Sequence, residues 1–123
     1  MSKETISSAE FPLKPHNSPA VKVPGLVFCS GQVGMGEIKA ATRESLGNLK
    51  KVLELSGSSL EKVVKYNVFL KDMDEMATMN EAFVATHNQQ FLPDPKPART
   101  CIQAGKLPGG PNASIEIECI AQL

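Results

Sequence analysis

Apolar and polar side chains alternate along Ser114 to Ala121, with Ile115, Ile117, Cys119 and Ala121 on one face and Glu116 and Glu118 on the other. A period of two predicts a strand with one face on a core and one turned away from it. The stretch Lys96 to Gly105 alternates as well. Ala98, Thr100, Ile102 and Ala104 form the face that suits a core, leaving a guanidinium, a thiol and an amide (Arg99, Cys101, Gln103) on the other. Between the two strands Lys106–Ala113 is rich in Gly and Pro. It predicts a loose hairpin that brings a β-strand carboxylate near Arg99. Upstream, Ala20–Val23 and Leu26–Val33 flank Pro24-Gly25 and predict a second hairpin. Val27, Cys29 and Val33 share one of its faces, Leu26, Phe28, Ser30 and Gln32 the other, and Gly31 suits a close approach of backbone or ligand. Val63–Lys71, with Val64, Tyr66, Val68 and Leu70 on one face, predicts a further strand, and residues 3–7 a short one.

The period changes to helical over Thr42–Ser56, where Leu46, Leu49, Val52, Leu53 and Leu55 make a stripe that Gly57 ends. Ser58-Ser59-Leu60-Glu61 has the form of a capping box opening a short helical turn. Asp72 caps a second helix, with Met76, Asn80, Phe83, Val84 and His87 along one side. Asn80 is the polar member of that stripe and is read as an amide bonded to backbone; His87 is read as a boundary residue near the helix end. Phe11–Pro19 holds three prolines in nine residues and must be irregular, and Gln90–Lys96 is a Pro-rich connector. The order of elements predicts one α+β domain over residues 1–123 with both helices on one sheet face. Phe28, Phe69, Ile120 and Arg99 are then left uncovered on the other face, which predicts an interface.

Composition narrows the function. Lys plus Arg and Asp plus Glu number 13 each, and there is one Tyr and no Trp. No basic stripe or stacking platform for nucleic acid emerges. Cys29, Cys101 and Cys119 form no Cys-x-x-Cys pair, so neither a zinc site nor a disulfide framework is expected, and no phosphate-cradling Gly loop or acidic cluster calls for a metal or organic cofactor. No run of about 18 apolar residues would span a membrane. Met1–Thr5 is neither an apolar signal segment nor Arg-rich, and the expected compartment is the cytoplasm.

Four blocks, in order, resemble the Rid/YjgF family of reactive-intermediate deaminases: Leu26–Val33; Ser45-Leu46-Gly47-Asn48-Leu49-Lys50; Val63–Asp72 followed by Met79-Asn80-Glu81; and Pro97-Ala98-Arg99-Thr100-Cys101, Leu107-Pro108 and Ile115-Glu116-Ile117-Glu118. The resemblance implies a chorismate-mutase-like fold, a mixed, largely antiparallel sheet carrying two helices on one face. It also implies a homotrimer with a ligand cleft between each pair of subunits, and hydrolysis of short 2-imino or enamine acids, such as 2-iminopropanoate and 2-iminobutanoate, to the 2-keto acid and ammonia without a cofactor.

In that chemistry Arg99 grips the substrate carboxylate and Glu116 orients or deprotonates the attacking water. Ser30, Gly31, Asn17, Asn80 and Cys101 contact the substrate, with Cys101 lining the pocket rather than attacking. Two departures stand out. Asn17 occupies the place of the family's pocket Tyr, and the connection after Val33 is several residues shorter than is usual. They keep open a non-catalytic trimer that binds small carboxylates or a protein, beside the family's RNA-cleaving activity, for which no pair of histidines is evident.

Overall fold

The computed structural model describes residues 2–87 and 94–123. Strands β1 (Glu4–Ile6), β2 (Ala20–Val23), β3 (Leu26–Met35), β4 (Val63–Leu70), β5 (Ala98–Gln103) and β6 (Ala113–Gln122) make a six-stranded sheet in the order β1-β2-β3-β6-β4-β5. Every neighbouring pair is antiparallel except β4 and β5. Helices α1 (Ile38–Leu55) and α2 (Met76–Thr86) pack against each other and cover one face.

The core lies in that layer. From α1 come Ala41, Leu46, Leu49, Val52 and Leu53; from α2, Met79 and Phe83; from the sheet, Val27, Tyr66, Val68, Leu70, Ile115, Ile117 and Ala121, all at most 1% exposed. Each such Leu, Ile or Val contributes roughly 1.5–3 kcal/mol through its lost contact with water. β6 is central and buries alternate residues as its pattern predicts. Helix α1 begins at Ile38, four residues before the predicted start, capped by the Glu37 side chain on the Lys39 amide. It ends in a Schellman motif: Ser58 N–H donates to Leu53 O and Gly57 N–H to Glu54 O, with Gly57 at φ +84°. Asp72 caps not α2 itself but the 3₁₀ turn Met73–Glu75 that leads into it, its side chain accepting a hydrogen bond from Asp74 N–H. Ser59 makes no capping bond at the 3₁₀ turn Leu60–Lys62.

Three sequence expectations are overturned. β5 does not form a hairpin with β6, because β4 lies between them. The parallel partner of β4 needs a crossover, and α2 supplies it. The linker then carries the chain past the end of β4, held by Ala104 N–H on Leu70 O and by Lys71 Nζ on Pro111 O. The face of β5 is also reversed. Arg99, Cys101 and Gln103 are in register with Tyr66, Val68 and Leu70 and lie on the helix side, whereas Ala98, Thr100 and Ile102 are exposed. Arg99 is therefore not on the open sheet face, although Phe28, in register with Ile120, is.

Register shifts account for the third set. One at Ser30-Gly31 puts Gln32 opposite Ile117 and Val33 opposite Glu116, so Val33 joins the open face and Gln32 the covered one. Another at Val64 leaves that residue 40% exposed rather than with Tyr66. Of the Pro-rich connector, residues 90–93 lie outside the described residues.

Candidate active site

Beyond Cys29, β3 runs on without β2 beside it, and the segment Glu10–Pro19 takes that place. Two bonds from β3 pin the segment: Ser30 N–H donates to Pro19 O at 2.9 Å and Ser30 Oγ to Ser18 O at 2.6 Å. Lys14 N–H donates to Asn17 O and closes a small turn. Between turn and strand lies a cavity of about 350 Å³ whose wall includes Glu10, Lys14, Asn17, Ser30, Gly31 and Val33.

Gly31 matters for what stands against it. A Cβ built there would lie 2.5 Å from Oε2 of Glu116 and 2.8 Å from its Cγ. The absence of a side chain at the bulge is what lets the Glu116 carboxylate lie against the β3 backbone at Gly31, itself a wall residue of the cavity. Glu116 accepts no hydrogen bond from the described side chains, whereas Glu118, two residues on, accepts one from Asn67 Nδ2 at 3.0 Å. Partial burial, with the nearby charge of Glu118 adding to it, pushes the Glu116 carboxyl above its usual range.

Arg99 is elsewhere. On the sheet edge and the helix face, its guanidinium lies 5.0 Å from the centre of the Phe83 ring, with Nη1 4.0 Å from Sδ of Met79. Three strand spacings, about 14 Å, separate β5 from β3. Cys101 follows Arg99 on the same face and packs against the core; burial pushes its thiol up, more than the Arg99 charge draws it down. A thiol so held is a poor nucleophile. Asn80 does not bond to backbone as expected: its Oδ1 is buried and without a donor among the described residues. The structure thus brings Asn17, Ser30 and Gly31 together at the cavity, with Glu116 against Gly31, and leaves Arg99, Cys101 and Asn80 apart from them.

Sequence reasoning passed over Met79 and Phe83 as neighbours of Arg99, since their i, i+4 spacing reads as core. His87 is more than a boundary residue. Its Nδ1 donates to Phe83 O at 2.8 Å, so Nε2 accepts from the Tyr66 hydroxyl at 3.2 Å. Among the described residues no group of three or more His, Cys, Asp or Glu is placed to hold a metal ion, and no helix is long and apolar enough to cross a membrane.

A two-helix layer on a mixed six-stranded sheet defines a fold class, and comparison with known proteins agrees with it. The Endoribonuclease L-PSP family model matches residues 7–123. Among similar proteins, mmf2 of Schizosaccharomyces pombe, described as mitochondrial, is 46% identical, with 98% of each chain covered. Reactive Intermediate Deaminase A of Arabidopsis thaliana, described as chloroplastic, is 36% identical over 98% of this chain and 66% of its own. The crystal structure of RidA from an Antarctic Psychrobacter superimposes with a TM-score of 0.84 at 36% identity, covering 98% of this chain and 99% of that one. The chain belongs to the Rid/YjgF family, also called the endoribonuclease L-PSP family, which includes reactive intermediate deaminases.

Proposed function

We propose that this protein is a hydrolytic deaminase of short 2-imino and enamine acids, with 2-iminopropanoate and 2-iminobutanoate as substrates. The observation that carries the reading is the Glu116 carboxylate, seated against Gly31, itself a wall residue of the cavity, free of hydrogen bonds from described side chains and of raised proton affinity. A base of that kind takes a proton from water as the water oxygen bonds to C2 of the imine. That proton, passed to the nitrogen, gives the carbinolamine; the hydroxyl proton then follows to the nitrogen through the same carboxylate as the C2–N bond breaks, ammonia leaves and the C2 carbonyl forms. Atoms balance as imine plus water giving 2-keto acid plus ammonia, and no cofactor enters.

The carboxylate of such a substrate needs Arg99, which one copy of the chain holds on the wrong edge. We therefore also propose a homotrimer in which the β5 edge of one copy meets the β3 edge of the next and supplies Arg99, Cys101 and Asn80 to its cavity. The open sheet face, with Phe28 at 41% and Ile102 at 48% exposed, is the surface such an assembly would cover. The name of the Arabidopsis relative supports the chemistry; that of the fission-yeast relative sets a mitochondrial location against the cytoplasmic expectation, and fractionation decides between them.

Subunit mixing tests chemistry and assembly together. Arg99→Ala and Glu116→Gln are each expected to be inactive in releasing 2-keto acid from imine generated in situ. Unfolded and refolded together in equal amounts, they should regain about a quarter of wild-type activity, since half the neighbours supply an intact Arg99 and half an intact Glu116. No recovery, from a mixture that assembles normally, would place the whole site within one chain.

A further inference from the structure

The Arg99 guanidinium has no acidic partner among the described residues; what it touches is α2. Its Cζ is 5.0 Å from the Phe83 ring centre, with the Met79 sulfur beside it. Phe83 in turn is fixed. It is 1% exposed, meets Tyr66 edge-on with centroids 5.0 Å apart at 81°, and lies 5.3 Å from the His87 ring. His87 is tied to the Phe83 carbonyl and to the Tyr66 hydroxyl, so three rings brace one another under a single cation.

An aromatic face attracts a guanidinium without using its N–H groups. An Asp or Glu in the same place would also hold the arginine, but would occupy the fork that a ligand carboxylate needs. We propose that Phe83 is a positioning residue for Arg99, a shelf that fixes the guanidinium while leaving its donors uncommitted for an incoming carboxylate. The inference rests on the reading of Arg99 as the carboxylate anchor and says how that anchor is kept ready. Met79 extends the shelf with a polarisable sulfur.

The chain has two arginines, Arg43 and Arg99, so its arginine Nε–H resonances are assigned by the one lost in Arg99→Lys. In the wild-type protein the Arg99 signal should lie upfield of that of Arg43 because of the Phe83 ring current, and should move on titration with 2-oxobutanoate. Phe83→Leu should weaken 2-oxobutanoate binding and raise KM for the imine roughly three- to thirtyfold with kcat little changed, the pattern of lost ground-state binding. Phe83→Tyr, which keeps the ring, should restore binding. In an Arg99→Lys background Phe83→Leu should cost nothing further, whereas a merely structural role would still weaken binding there.

An Arg99 Nε–H at an unshifted position overturns the shelf even if Phe83→Leu does not fold. So does a folded Phe83→Leu that binds normally while Arg99→Lys does not. If Arg99→Lys itself binds 2-oxobutanoate as well as wild type, the anchor reading fails, and the shelf falls with it.

Discussion

Two glycines on one strand, three residues apart, make the sharpest test of where the carboxylate sits. At Gly31 the nearest atoms to an added Cβ all belong to the Glu116 side chain, 2.5 Å for Oε2, 2.7 Å for Cδ and 2.8 Å for Cγ. At Gly34 it meets α1 backbone, 1.9 Å from Ala41 O and 2.5 Å from Ala41 C. A flexible side chain swings aside cheaply, but a helix wedged into a core does not. Gly31→Ala should therefore leave stability within about 1 kcal/mol of wild type, the lost contact being offset by the smaller entropy of the unfolded chain. Its effect falls on chemistry: displacing a general base by about 1 Å costs on the order of a hundredfold in kcat/KM.

Gly34→Ala has to lift α1 from β3. The cost should exceed the ~1–3 kcal/mol of an ordinary overpacked core and lower Tm by roughly 10 °C or more. The activity of whatever fraction stays folded should be affected less than that of Gly31→Ala. Thermal unfolding by circular dichroism and 2-keto acid release from imine formed in situ, run on the same samples, separate the two. A stable Gly31→Ala with full activity would show that catalysis does not need Glu116 where it lies. A Gly31→Ala that unfolds as badly as Gly34→Ala would refute the carboxylate as the neighbour that makes glycine necessary.

Arg99→Lys should fail nearly as badly as Arg99→Ala, by about ten- to a hundredfold in kcat/KM, since an ammonium cannot present two parallel donors and each charged bond is worth roughly 1.5–3 kcal/mol; a Lys variant with near wild-type kcat/KM would show that charge alone suffices. For Glu116 the folded chain binds the proton more tightly than the ordinary value of 4.5 allows. That contribution to stability is fully present below the unfolded value and is lost as pH rises through the raised folded one. Glu116→Gln should therefore melt slightly higher than wild type at pH 7, with the difference vanishing towards pH 4. The kcat/KM profile should show an acid limb centred above 4.5; a limb at or below 4.5 would contradict the raised affinity.

Much of the fold can be read from periodicity: β6 buries one clean stripe and α1 buries Leu46, Leu49, Val52 and Leu53, though Leu55 is exposed, whereas α2 buries Met79, Ala82 and Phe83 and leaves Met76 of its expected stripe exposed. Ile115, Ile117, Cys119 and Ala121 point where their alternation says. Legibility fails wherever a single residue breaks the period. One extra residue at Ser30-Gly31 exchanges Gln32 and Val33 between faces, and another at Val64 ejects a valine that the pattern had counted as core. β5 fails for a different reason. Its core-facing residues include an arginine, which looks like a solvent residue until Phe83 is known to lie beneath it, while its apolar Ile102 stands exposed. The Phe83 ring reaches Arg99 only because α2 carries the chain over from β4 to a parallel β5, and no local signal reports that pairing. Glu116 is singled out by its place on β6, but its contact with Gly31 depends on the same bulge that spoiled the face assignment.

The two departures from the family pattern have unequal structural consequences. The short connection after Val33 is not a gap in the rim. β3 continues to Met35, Gly36 turns at φ +83°, and Glu37 already caps α1. Bonds converge on this turn: Gly36 N–H donates to Asn112 O, Ser114 Oγ to Gly36 O, and Met35 N–H to Glu44 Oε1. The linker before β6 is thereby tied to the end of β3, next to the strand pair that carries both Gly31 and Glu116. Asn17 has no such compensation. It lies on an exposed turn beside Lys14 at the cavity wall, held through its backbone carbonyl. An amide there supplies hydrogen bonds but no ring to cover a ligand. The Asn17 side of the cavity is therefore polar and open, which, on the deaminase reading proposed above, favours small, hydrated imino acids over substrates with bulky apolar side chains.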